Sequence, residues 1–204
     1  MRPNTTRRGF AMLWAIVTVA VIAAIVAAAA PTLTQMVDTT RVTTTAEYLR
    51  EIAIGVDSFN KNVKRGAPSY TTPRYLHQLD TVVVAGDSIG CRSNQTNNNT
   101  AVNNWIKFGP FLTFYFSPNG LSTPLGQVHD STSRTMGALG QRRTSQNDSV
   151  FIQIDSVDVG LARMMDVNVD GTENANADTV RYTAPGADSL VLLSWWVPLF
   201  HAGC

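Results

Sequence analysis

From Asp166 to Gly171 the chain reads Asp-Val-Asn-Val-Asp-Gly, with oxygen-bearing side chains at Asp166, Asn168 and Asp170. This alternation matches the opening of a calcium loop, in which oxygens at every second position ring a hard cation and a glycine makes the sharp turn. A loop of that kind closes on a bidentate acid at its twelfth position. Ala177 stands there, and Asp178 follows one residue later. The candidate calcium ligands are therefore Asp166, Asn168, Asp170 and Asp178. Two other backbones fit the same residues. In a hairpin, Met165, Val167 and Val169 face a core and Asp170-Gly171 makes the turn. In a helix, Leu161, Met164 and Met165 share a turn and the oxygens point in different directions.

No other group of residues assembles a reaction centre. His77, His129 and His201 are scattered, with no HExxH pair, no GxSxG elbow and no glycine-rich phosphate loop. His77 follows Leu76 in an expected short turn, with no ligand partner nearby in sequence. His129-Asp130-Ser131 are neighbours in sequence, but triads are built by geometry across a fold. Cys91 and Cys204 are too far apart for a CxxC metal or redox site. The expectation is a protein that is not an enzyme and requires no cofactor, with calcium the one ion its residues suggest. Formal net charge is +1, and Arg142-Arg143 is an isolated basic pair among Gln, Thr and Ser. Nucleic acid is not an expected partner, since it demands a basic stripe interleaved with aromatics.

The elements begin with an N-terminal apolar run. Met1–Gly9 is polar and basic, carrying Arg2, Arg7 and Arg8 and no acid. From Phe10 to Ala30, Thr18 is the only polar side chain, and Pro31 ends the run. About 20 such residues in a helix cover the roughly 30 Å hydrocarbon core of a bilayer. Arginines on the N-terminal side keep Met1–Gly9 cytoplasmic and send the rest outward. A secretory signal peptide competes with this reading, because Ala28-Ala29-Ala30 has the small residues of a cleavage site. Against it, the run exceeds the roughly 7–15 residues of a signal core, and Pro31 would follow the cut.

Gly9-Phe10, the unbroken apolar run and Pro31 together resemble the N-terminus of a type IV pilin or type II secretion pseudopilin. The resemblance implies cleavage by prepilin peptidase between Gly9 and Phe10 and N-methylation of Phe10. Counting from Phe10, Pro31 is residue 22, where that family carries a helix-bending proline. The fifth residue is Trp14, where the family usually has a glutamate thought to pair with a neighbouring subunit's N-terminal ammonium. A buried carboxylate is costly unless paired, so its loss spares the subunit and removes one docking contact. The pseudopilin at a filament tip typically lacks this glutamate, so Trp14 favours a minor or initiating subunit, with bulk or tip left open by the sequence. Downstream, Trp105-Ile106-Lys107-Phe108-Gly109-Pro110-Phe111-Leu112 is similar to a Trp-x-Gly-Pro-Tyr segment of some major-pseudopilin-like proteins, and the closing Cys204 is also familiar from pilins.

Beyond Pro31 a helical pattern resumes. Val42, Ala46, Leu49, Ile52, Val56, Phe59 and Val63 form the seam of an amphipathic helix. Glu47, Arg50, Glu51, Asp57, Lys61 and Lys64 fall on or near its other face, and Asp57 and Lys61 form an i,i+4 pair. Gly66-Ala67-Pro68 stops it. As one helix bent at Pro31, Phe10–Lys64 would be roughly 80 Å long. Thr39, Thr40, Thr43, Thr44 and Thr45 are the weak link, poor helix formers that make a locally melted segment the alternative.

Residues 66–110 read as irregular, with Ser93–Asn104 an Asn/Thr-rich surface loop. The remainder reads as strands: Phe111–Phe116, then Val150, Ile152 and Ile154 in alternation, Thr179–Thr183 and Ser189–Val197. Trp195-Trp196 ends the last strand, with one indole on the inner face; an exposed docking patch is the competing reading. In an oxidising compartment Cys91 and Cys204 read as one disulfide, closing a loop that constrains the unfolded chain by about 4–5 kcal/mol. Two unrelated thiols are the alternative.

The expected fold is α+β: a long N-terminal helix packed on a small antiparallel sheet, as in pilins. Its parts are a leader over 1–9, a membrane and filament-core helix over 10–31, an amphipathic continuation over 32–65 and a β-rich outward domain over 66–204. The resemblance implies a structural subunit of a pilus-like or pseudopilus filament, stored in the bacterial inner membrane. Its implied partners are copies of itself, related subunits, prepilin peptidase, the inner-membrane assembly platform and the lipid bilayer. The rival function is a monomeric membrane-anchored domain that binds a ligand through its Asn-rich loop or Trp195-Trp196.

Overall fold

The computed structural model describes residues 6–66, 69–84, 89, 99–130, 142–143 and 148–199. Contacts divide the chain into two units, Met1–Thr40 and Arg41–Cys204. Helix α1 spans Thr6–Asn62 and contains Pro31. The threonines do not interrupt it. Thr39 and Thr40 donate their hydroxyls to the carbonyls of Gln35 and Met36, each at 2.8 Å. Each hydroxyl shares the i−4 carbonyl with the ladder N–H, a slightly destabilising bond that the helix tolerates here.

In the second unit α1 buries its apolar seam. Val42, Ala46, Leu49, Ile52, Val56 and Phe59, with Val63 one residue past the helix end, are all in the core. Glu47, Arg50 and Lys61 are exposed, and Lys61 Nζ lies 2.6 Å from Asp57 Oδ2. The helix stops at Asn62, ahead of Gly66 and Pro68, because Thr71 turns back to donate its hydroxyl to the Val63 carbonyl at 3.0 Å. Buried Asn60 ties the same return, donating to Thr71 O at 3.1 Å. A short antiparallel pair, β1 (Lys64–Gly66) and β2 (Ser69–Tyr70), follows.

The stretch expected to be irregular holds a helix. α2 (Asn99–Phe108) buries Ala101 and Trp105, four residues apart on one face. It covers the end of the Asn-rich stretch that the sequence suggests is a loop. Trp105 Nε1 donates to the Gln78 carbonyl at 2.7 Å, docking α2 on the 3-10 turn Leu76–Leu79. Gln78 in turn accepts the N–H groups of Arg74 and Tyr75 on Oε1, at 2.8 and 3.1 Å.

Phe111–Phe116 is not a strand. Its backbone is engaged elsewhere: Phe111 N donates to Leu79 O at 2.7 Å, and Thr113 donates its N–H to Glu51 Oε1 at 3.1 Å together with its hydroxyl. The segment lies along α1, with Leu112 and Phe116 buried and Phe111 edge-on to Phe59 at 5.5 Å. Gly55 makes room for it, since a Cβ there would sit 2.9 Å from the Phe111 carbonyl oxygen.

The main sheet is antiparallel, in the order β3 (Leu121–Thr123), β4 (Gly126–Val128), β6 (Asp148–Asp158), β8 (Leu190–Pro198), β7 (Val180–Tyr182). β5 (Arg142–Arg143) also pairs with β6. Val150, Ile152 and Ile154 on β6 and Val191, Leu193, Trp195 and Val197 on β8 fill the same core as the α1 seam. The fold is therefore α+β, a long N-terminal helix packed on a small antiparallel sheet. β6 is not half-buried as its alternation suggests, because Phe151 and Gln153 on the other face are buried too. β7 is closed on the side away from β8: its Val180 N–H donates to Asp170 Oδ2 at 2.8 Å and its Tyr182 N–H to Ala175 O at 3.1 Å.

Candidate functional site

The N-terminal unit presents apolar surface over its described length. Met12, Trp14, Ile16, Val19, Ile22, Ile25, Val26, Leu33 and Met36 are each at least 60% exposed. The helix is long and apolar enough to cross a membrane. Thr18 hides its hydroxyl by donating to Trp14 O at 2.7 Å, and Thr34 does the same to Ala30 O at 3.1 Å. In lipid every polar group has to be satisfied internally, and these bonds achieve that without a partner chain. Gly9 and Phe10, the candidate processing pair, lie within α1. Trp14 projects from the helix at 63% exposure, and Pro31 withholds the N–H that the Ala27 carbonyl would otherwise accept.

The acidic sequence 166–170 is the end of a helix and not a loop. α3 (Val159–Asp170) starts on Asp158, whose side chain accepts the N–H groups of Gly160 and Leu161, and ends on Gly171 in the left-handed conformation at φ 81°. Of the three backbones the sequence allows, the helix is the one observed, with Met165 buried and Val167 half out at 49%. Residues two apart on a helix point away from each other, so Asp166 is buried while Asn168 is exposed.

The acids are also committed elsewhere. Asp166 Oδ2 accepts the Asn174 N–H at 2.7 Å and Asp170 Oδ2 accepts that of Val180. Asp178 is exposed on a left-handed backbone at φ 64°. Among the described residues no three His, Cys, Asp or Glu side chains are grouped to hold a metal ion. The calcium ligand set does not fit this geometry.

The acids retain a mutual influence. Burial chiefly raises the Asp166 carboxyl above its ordinary value of 3.8; the Asn174 N–H opposes this, and Asp170, Asp178 and Glu173 add to it. Asp166 Oδ1 is buried without a hydrogen-bond partner. Arg163 Nε lies 3.2 Å from Glu173 Oε1, and the same oxygen accepts from the Tyr182 hydroxyl at 3.4 Å. Burial and then Glu173 raise the Tyr182 phenol. An open cleft of about 350 Å³ beside them is lined in part by Arg163, Glu173, Asn176, Tyr182 and Pro185.

No family model, curated protein or solved structure matches the chain. The remaining residues with chemistry are spread over the second unit. His77 Nδ1 lies 2.7 Å from Asp130 Oδ2, a partner 53 positions away that the sequence does not reveal. His129 pairs instead with Asp155, Nε2 to Oδ2 at 2.5 Å. The sequence neighbours His129 and Asp130 thus serve two different pairs. Trp195 is buried in the core as expected of one of the two indoles. Trp196 lies on the opposite face, edge to face with Phe151 at 4.2 Å and beneath the Arg181 guanidinium at 3.4 Å. Cys91, Cys204, His201, Ser131 and the Asn-rich residues 93–98 lie outside the described residues.

Proposed function

We propose that the chain is a pilin-like structural subunit, cleaved by prepilin peptidase after Gly9, N-methylated at Phe10 and assembled into a filament through α1. The observation that carries this reading is the division of labour along α1. Met12–Val37 offers apolar side chains outward, whereas Val42–Val63 turns its apolar seam into the chain's own core. Apolar surface of that extent demands a lipid or protein partner. Lipid holds the subunit in the bacterial inner membrane before assembly, with the N-terminus cytoplasmic and the β-rich domain outward. Helices of neighbouring copies and related subunits replace lipid in the filament, with an inner-membrane platform delivering them. The work is mechanical, driven by helix packing rather than by a reaction centre. Trp14 lacks the carboxylate that would pair with a neighbour's terminal ammonium, which favours a minor or initiating position over the bulk of the shaft.

The deciding experiment is the intact mass and N-terminal sequence of the protein recovered from its native membrane. A chain beginning at N-methylated Phe10 is the expected result, and Gly9→Ala should leave Met1 in place and stop assembly. A wild-type start at Met1 would identify a static membrane-anchored domain, and a start at Pro31 a secreted one; either overturns the filament.

A further inference from the structure

We draw no further inference here: the strongest candidate, the sheet face opposite α1 where the cross-strand pair Gln153 and Ser194 and the adjacent Trp196 indole bury polar atoms without hydrogen-bond partners, carries nothing because nothing in the structure shows what covers it.

Discussion

Asp130 holds His77 at two points, accepting its backbone N–H on Oδ1 at 2.8 Å and facing its Nδ1 with Oδ2 at 2.7 Å. The Asp130 carbonyl accepts the N–H of Leu76 as well, at 2.6 Å. This fastens the 3-10 turn, and through Gln78 the α2 helix, to the end of β4. Asp130→Ala strands a part-buried N–H and should cost about 1–3 kcal/mol in chemical denaturation of the detergent-solubilised chain. Asp130→Asn keeps an acceptor for that N–H and should lose less. Equal losses would mean that the charge, and not the backbone clasp, is what matters.

The seam of α1 offers a sharper contrast. Phe59 is fully buried against Phe111, so Phe59→Ala should destabilise by about 3–5 kcal/mol. Ile54, on the same helix but 60% exposed, should change stability by no more than about 0.5 kcal/mol when cut to alanine. Comparable losses at the two sites would contradict the packing described for α1.

Gly55 tests the close approach of the 111–112 segment. In an unobstructed helix, alanine is more favourable than glycine by about 1 kcal/mol. Here the added methyl meets the Phe111 carbonyl oxygen at 2.9 Å and Leu112 Cδ2 at 3.1 Å. Gly55→Ala should therefore lower the melting temperature. A rise would place Phe111 farther from the helix.

The buried Asp166 carboxyl sets a pH dependence whose sign follows from its raised value. Between the unfolded value near 3.8 and the higher folded one, the native state holds a proton that the unfolded chain has released. Stability from this group is then greatest below the unfolded value and declines as pH rises through the window to the folded one. Melting curves of wild type and Asp166→Asn, taken from pH 3 upward, should show the wild type losing stability relative to the variant across that window. A difference that stays constant with pH would remove Asp166 as the cause.

If the chain assembles as proposed, Trp14 can be tested in the filament. If its missing carboxylate confines the subunit to rare positions, Trp14→Glu should raise the number of copies per filament, counted by quantitative mass spectrometry of sheared filaments. Unchanged stoichiometry would show that position 14 does not set the subunit's place.

Elements whose burial follows one repeating period were legible in the sequence. The six apolar positions of α1 and Val63 just past its end recur at helical spacing and all reach the core, and of the two adjacent indoles one, Trp195, lies inward. Elements that depend on distant partners were not legible. α2 is built largely from weak helix formers and is fixed by one indole bond to Gln78, although Ala101 and Trp105 at i,i+4 were a readable sign. Phe111–Phe116 has strand-like residues, but Glu51 and Leu79 take the backbone groups a ladder would need. The calcium pattern failed because acids at alternate positions before a glycine also describe the last turn of a helix ending on a left-handed cap. The pairing of His77 with Asp130 spans 53 residues and left no trace in local composition.

The clasp that Asp170 and Ala175 place on β7 constrains how molecules of this chain can meet. An edge strand with unsatisfied N–H groups is a template for another strand, and crowding along a filament would multiply the encounters. With the Val180 and Tyr182 donors already satisfied, this edge has neither of those N–H groups to offer an incoming strand. If the chain assembles as proposed, subunits gathered at high local density would find no free Val180 or Tyr182 N–H on this side through which their sheets could zip together.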